Sequence, residues 1–346
     1  MTSAKGHSYL LIVKKLLLIF FVAYVSGCIG KKVDEPLRIA INPWPGYELL
    51  FLAQEKGFFR EQGLNVQLVE YGSLGDVQRS FEWGQVNGFA CSLMDVLLAK
   101  KQTNRNPKIV LITSFPTKES DVLLAHCDVN SITELKGKRI GLEYSSLGIY
   151  VLIRALEYSK MTLEDVKVVP CDPTSLEDLI DKGHVDAVIC SPPYSVKIRE
   201  NKHFHSLFSN QDIPGEVLDV IAFEEKVIHT RPNDIVKFLK VWERSVLYFQ
   251  QHTEEAYELM ARRENISLKD FEGLMANVTL LSLQQQVRLF RPTEGMKKMV
   301  HRIQKHSMRA GLIGKTFLTE NDLFAPELLE SAIAETDEPA EPVSQP

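Results

Sequence analysis

The sequence predicts an α/β protein built as two similar strand-and-helix halves, followed by a helical stretch. Three observations carry this. Short apolar runs such as LRIAIN (37 to 42) and KRIGLE (138 to 143) recur at spacings that leave room for one helix between strands. Several of the intervening segments open on a serine-containing turn and close on a glycine, the usual punctuation of a helix. Beyond about Pro214 the strand pattern gives way to helical periodicity. Strands alternating with helices of this length argue for a parallel sheet flanked by helices.

The 346 residues suggest two domains, and the net charge of -5 offers no excess of base. Lys and Arg are scattered singly or in pairs, so no basic stripe exists to neutralise a phosphate backbone, and nucleic-acid binding is not expected. At the N-terminus Lys5, Lys14 and Lys15 precede LLLIFFVAYV (Leu16 to Val25), too short to span a bilayer but suited to a signal-peptide core. Val25, Ser26 and Gly27 then lead into Cys28. Small residues before a cysteine resemble the lipobox of bacterial lipoproteins, in which the cysteine is acylated and becomes the new N-terminus. A plain secretory signal with an incidental cysteine is the alternative, and export is implied either way. The expected organisation is a lipoprotein signal peptide over 1–27 and a polar tether over 28–36. The body would then lie in the periplasm or at the cell surface, held to the membrane through Cys28.

Cys91, Cys127, Cys171 and Cys190 remain, too few for a disulfide scaffold in so long a chain. A core must stabilise the body, and about 320 residues are ample for one.

From Leu37 the elements succeed one another in order. LRIAIN is a strand, and a helix from about Tyr47 to Lys56 ends at Gly57. NVQLVEY (65 to 71) is the next strand. Ser73 and Asp76 have the spacing of a capping box for a helix that buries Val77, Phe81 and Trp83 and stops at Gly84. VNGFA (86 to 90) and KIVLITS (108 to 114) are strands separated by a helix carrying Leu93, Val96 and Leu97. Around Pro116 to Ser120 the chain crosses over and begins again. DVLLAH and KRIGLE are joined by a helical turn with a capping box at Ser131 and Glu134, and the next helix runs from about Gly148 to Ser159. VKVVPC (166 to 171), a helix opened by Thr174 to Glu177 and closed by Gly183, and VDAVIC (185 to 190) complete the second half. After Pro214 the clearest helix starts at Pro232, with Ile235, Phe238, Leu239, Trp242, Val246 and Phe249 on one face. The acidic, proline-rich end, 335–346, is expected to be disordered.

In an open α/β sheet, ligands bind beyond the carboxyl ends of the strands, where helix N-termini offer unpaired N–H groups. That rule selects NPWPGY after the first strand, GSLGD after the second, CSLMD after the third, and EYSSLG and CSPPY in the second half. Ser73, Ser92, Ser145, Ser146 and Ser191 fall in this set, and each alone reads as an ordinary helix cap. Two halves that each turn serine-rich helix starts toward one cleft are what a clamshell for a small polar ligand needs.

The run INPWPGYELLFLAQEKGFFREQGLNVQLVEYGSLGDVQRSFEWGQVNGFACSLMDVLLAKK resembles the N-terminal lobe of the substrate-binding proteins of ABC importers for nitrate, alkanesulfonates and taurine, and of receptors for thiamine pyrimidine precursors. ELKGKRIGLEYSSLGIYVL and GHVDAVICSPPYS resemble the second lobe of that group. The resemblance implies a type II periplasmic-binding-protein fold: two α/β lobes around a cleft, joined by two crossover strands. Lobe 1 would comprise 37–116 and 214–330, and lobe 2 117–213. It further implies ligand contacts at Trp44 and Tyr47, Ser73 and Asp76, Ser92 and Asp95, Ser145 and Ser146, and Tyr194. SPPY stands where many relatives have a Trp-Glu-Pro run, so the far wall of the pocket departs from the family pattern.

The resemblance, with the export signal, implies an exported receptor that binds a small solute (a sulfonate, a pyrimidine or an amine-bearing molecule) by hinge closure and passes it to an ABC permease. It would act as a monomer, without catalysis, cofactor or metal. Two alternatives remain: a receptor for a membrane signalling protein, and an enzyme similar to a thiamine pyrimidine synthase. The latter implies a cysteine-rich iron motif that VICSPPY does not supply. Trp44 and Tyr47 either meet the ligand or plug the lobe, and Asp95 either holds an amine or stabilises its helix. Cleft loops without Arg or Lys favour a neutral, zwitterionic or amine-bearing ligand over a bare anion. Cys171 and Cys190, on strands flanking KRIGLE, should lie about 10 Å apart, beyond disulfide reach. The HFH run at His203 to His205 reads as a solvated surface.

Overall fold

Strand β1, Leu37–Ile41, is buried at four of its five residues, as its near-continuous apolar sequence requires of a strand covered on both faces. It lies in parallel between β2, Val66–Glu70, and β3, Gly88–Ser92, with Ile39 opposite both Leu68 and Gly88. The computed structural model describes residues 35–116, 119–276, 278–290 and 293–334. The signal segment, Cys28, most of the tether and the acidic tail lie outside the described residues.

The chain forms two sheets. The first has the order β11-β4-β10-β3-β1-β2, with β4 at Pro107–Pro116, β10 at Asp219–Glu224 and β11 at Val278–Leu280. The second has the order β7-β6-β8-β5-β9. Its strands are β5, Val122–His126; β6, Arg139–Glu143; β7, Lys167–Cys171; β8, Ala187–Cys190; and β9, Phe204–Ser209. The chain passes between the sheets twice, from β4 to β5 and from β9 to β10. This is the type II periplasmic-binding architecture of two α/β lobes joined by crossovers.

The sheets are mixed, which corrects the expectation of a parallel sheet. Three strands in each run parallel, β2-β1-β3 and β7-β6-β8, but β10 pairs antiparallel with β3 and β4, and β5 antiparallel with β8 and β9. The reason is topological. A strand entered from the other lobe starts at the cleft, where its parallel neighbours end, so it must run against them.

Strand β5 shows how the second lobe is stabilised. Its side chains alternate between faces: Leu123 and Ala125 join the core beneath the helix Ser146–Tyr158, whereas Val122 and Leu124 pack with Leu176, Ile180, Val188 and Ile198 on the opposite face. The helix Pro232–Gln251 starts at its proline and buries Ile235, Phe238, Leu239, Trp242 and Val246, with Phe249 half-buried. The Trp242 indole N–H donates to the Leu281 carbonyl at 3.2 Å.

Several local expectations shift. The first helix is Glu48–Glu55, preceded by a 3-10 turn at Pro45–Tyr47, and Gly57 ends it at φ +74°. Trp83 is 70% exposed rather than buried, because the helix Leu74–Glu82 ends just before it. Ser73 accepts the Asp76 N–H, but the Asp76 carboxylate turns to the Ser73 hydroxyl and to Arg79 instead of back to the backbone, so that box is half formed. At Ser131 the carboxylate of Glu134 takes the Asn130 N–H, and only a 3-10 turn, Ile132–Leu135, results. Asp172 caps a 3-10 turn at Pro173–Ser175 by accepting the Thr174 N–H, and the helix Leu176–Asp181 follows that turn without a side-chain cap of its own. Strands β7 and β8 do flank β6, and Cys171 and Cys190 are free thiols.

Candidate functional site

A cavity lies between the two sheets, enclosing about 730 Å³ of space not filled by protein, its open mouth included. Lobe 1 contributes Asn42, Pro43, Trp44 and Tyr47 from the corner after β1, Gly72 and Leu74 after β2, and Asp219 from β10. The second lobe contributes Asp121, Glu143, Ser145, Ser191 and Tyr194, among others.

The Trp44 corner is built by its sequence. Pro45 at the first position of the 3-10 turn sets φ for the turn, and the Tyr47 N–H closes it onto the Trp44 carbonyl at 2.9 Å. Gly46 is needed for proximity rather than for the turn. A Cβ there would come within 2.5 Å of both Ser114 Oγ and Trp44 Nε1, so only glycine lets the corner sit against β4. Trp44 and Tyr47 are 7% and 3% exposed, so they line the cavity as part of its wall instead of standing at its lip. Trp44 Nε1 is buried without a formed hydrogen bond.

The sequence-predicted residues divide into two groups. Trp44, Tyr47, Ser145 and Tyr194 line the cavity. Ser73, Asp76, Ser92, Asp95 and Ser146 are not among its lining residues and serve as structural contacts. Ser92 and Asp95 form a reciprocal capping box on the helix Leu93–Gln102, with Asp95 Oδ2 accepting from the Ser92 N–H at 2.8 Å and from its hydroxyl at 2.7 Å. Asp95 Oδ1 accepts a hydrogen bond from the Ser146 hydroxyl of the opposite lobe. Burial raises the Asp95 pKa. Asp76 pairs with Arg79 at 2.6 Å, which lowers its pKa.

Further hydrogen bonds join the lobes: Arg154 meets Glu216 and His306, and two others involve residues that line the cavity. The Gly75 N–H, in the first turn of the helix Leu74–Glu82, donates to Glu143 Oε1 at 2.6 Å. The Tyr194 hydroxyl donates to the Gly72 carbonyl at 3.2 Å. With Ser146 to Asp95 they hold the lobes together around the cavity, so the structure is a closed clamshell.

Sequence reasoning missed two acids. Asp121 and Asp219 are 6% and 4% exposed and stand at the starts of β5 and β10, at the floor of the cavity. Ser120 Oγ donates to Asp121 at 2.9 Å and Ser114 Oγ to Asp219 at 2.7 Å. Burial pushes Asp121 up to about 6. Burial, together with the charge of Asp121, pushes Asp219 up to about 8. On the far wall, burial pushes Glu143 up to about 7. Burial and the charge of Asp219 also hold the Tyr47 phenol well above its usual value. None of the lining residues is Lys or Arg. The signal available in the sequence was an acid at the start of each crossover strand, in SDVLLAH and LDVIAF.

Among the described residues no group of three or more His, Cys, Asp or Glu is placed to hold a metal ion. No helix among them is long and apolar enough to cross a membrane.

The two lobes, their crossovers and the cleft between them define the class as a type II periplasmic-binding fold. A family profile described as NMT1/THI5 like matches residues 44–256, and the chain belongs to that family. A Bacillus subtilis (strain 168) protein named for binding aliphatic sulfonates is 25% identical over 288 residues, 77% of this chain and 82% of the relative. The 4-amino-5-hydroxymethyl-2-methylpyrimidine phosphate synthase of Aspergillus parasiticus is 32% identical over 257 residues, covering 67% of this chain and 70% of the synthase. Among solved structures, the periplasmic aliphatic sulphonate binding protein of Escherichia coli superposes with a TM-score of 0.68 at 14% identity, covering 84% of this chain and 92% of the other. The alkanesulfonate-binding protein of Xanthomonas axonopodis pv. citri, bound to MOPS, gives 0.67 at 14% identity, covering 84% and 99%. The fold is that of solute-binding proteins, and the relatives are named both as binding proteins and as a synthase.

Trp44→Ala should weaken ligand binding without unfolding lobe 1, since the ring borders empty space on one side. Thermal melting and a binding titration of the variant check this; loss of cooperative melting would make Trp44 a plug of the lobe.

Proposed function

We propose that this chain is an extracytoplasmic solute receptor that captures a small organic molecule by closure of its two lobes and delivers it to an ABC permease. It performs no chemistry of its own. The observation that carries this reading is the cavity between lobes that hydrogen bonds join: Ser146 to Asp95, Gly75 to Glu143 and Tyr194 to Gly72. Contacts made only on closure allow a ligand that touches both lobes to shift the molecule toward the closed form, which a permease could then recognise. The similarity to proteins named for sulfonate binding supports the receptor role.

Cys28 is the proposed lipid anchor, with residues 1–27 removed as the signal peptide, 28–36 as tether and the receptor body acting as a monomer. Cys28→Ser should move the protein from the membrane to the soluble extracytoplasmic fraction; retention on membranes would refute the anchor. For the receptor role, a screen of sulfonates, pyrimidines, amino acids and amines should find a solute that raises the melting temperature, since it binds only the folded form. Turnover of that solute by the purified protein would contradict the reading.

A further inference from the structure

We propose that the cavity selects a small solute carrying a protonated amine, held at its floor between Asp121 and Asp219 and faced by the rings of Trp44, Tyr47 and Tyr194. This rests on the receptor reading and names the substrate class of the same site.

The two carboxyl groups are more than nine-tenths buried and come from the two crossovers, one on each lobe. Each accepts from a serine hydroxyl, a neutral donor. Among the described residues neither forms an ion pair, and no lining residue carries positive charge. A buried carboxylate without a cation is costly, so burial and the neighbouring Asp121 push Asp219 up to about 8, and it keeps its proton at neutral pH until a cation arrives. An ammonium group offers what the floor lacks, a positive charge and several N–H donors, since a carboxylate has capacity beyond one hydroxyl. The aromatic walls fit the same guest, because ring faces attract cations. Trp44 Nε1, buried and lining the cavity without a formed hydrogen bond, lies near enough to Asp219 to lower its pKa and is a donor that the acid and a polar group of the guest can share. A sulfonate would set its negative charge against the Asp121 carboxylate and bring no cation to either acid. Because Asp121 and Asp219 lie on different lobes, an amine between them rewards closure directly.

The test measures the melting temperature of the full chain with millimolar benzylamine, benzyl alcohol or benzenesulfonate, and repeats it with Asp219→Asn and Asp121→Asn. Benzylamine should stabilise the unaltered protein and the other two should not. Each variant should weaken benzylamine binding by roughly tenfold to a hundredfold, the weight of a charged hydrogen bond. Stabilisation by benzenesulfonate, none by benzylamine, or benzylamine binding unchanged in both variants would overturn the amine assignment. The comparison among the three compounds on the unaltered protein decides even if a variant does not fold. The receptor reading fails separately, through turnover or through a bound solute that leaves the two lobes no closer.

Discussion

Arg263→Met should lower the unfolding free energy by about 3–5 kcal/mol, the usual cost of stripping the partner from a buried charge. Arg263, on the helix Thr253–Glu264, forks onto Glu48 with its Nε 2.6 Å from Oε2, and also reaches Glu70 at 2.8 Å. Glu48 is fully buried and sits directly after Tyr47, so this ion pair pins the helix start behind the Trp44 corner. Glu264, 5% exposed, sits beside it without a hydrogen bond, and burial and the Glu48 charge hold its pKa well above the usual value. Burial also raises Glu48, against the pull of Arg263. For both groups the folded pKa exceeds the ordinary 4.5, so the folded state binds more protons than the unfolded one between those values. Their contribution is fully present below 4.5 and is lost as pH rises through the folded values. Without Arg263 the folded values rise further and that loss deepens. The deficit of the variant should therefore be largest at neutral pH and shrink as the pH falls toward 4.5, as urea unfolding at a series of pH values would read. A deficit that does not change with pH would mean that Arg263 acts through its packing on Phe51 instead.

Gly75→Val should abolish closure while sparing the lobe. A Cβ at this position would lie 2.7 Å from the Tyr144 carbonyl oxygen, a backbone atom of the opposite lobe that cannot swing aside. Within its own helix valine costs nothing, being a better helix former than glycine. The clash exists only when the lobes meet. Melting of the ligand-free variant should stay close to that of the parent, while solute affinity falls by roughly a hundredfold, about 2.7 kcal/mol of lost closed-state contacts. Equal affinity in both would mean that binding does not need the closed form.

Features written in neighbouring residues were legible in the sequence, and features set by distant parts of the chain were not. The strands, the glycine stops and the Pro232 helix start belong to the first kind, because apolar periodicity and helix caps are local. So does the pairing of β7 and β8 around β6, which the α/β alternation implies. The antiparallel entry of β5 and β10 belongs to the second, since it depends on which lobe the chain arrives from. That single omission hid the cavity floor. The rule that ligands sit beyond strand carboxyl ends found Trp44, Tyr47 and Ser145, but Asp121 and Asp219 stand at strand beginnings, which only a crossover turns toward the cleft. It also drew in Ser92 and Asp95, whose spacing is equally that of a helix cap, and in the structure they cap the helix and meet Ser146 across the lobes.

Closure around a bound solute is the central claim. Small-angle X-ray scattering of the parent and of Gly75→Val tests it, with and without the compound that most raises the parent's melting temperature. The account predicts that the radius of gyration of the parent falls on saturation while that of Gly75→Val does not. A saturated parent no more compact than the same protein without the compound, where that form is open, or a Gly75→Val chain that compacts just as fully, would contradict it.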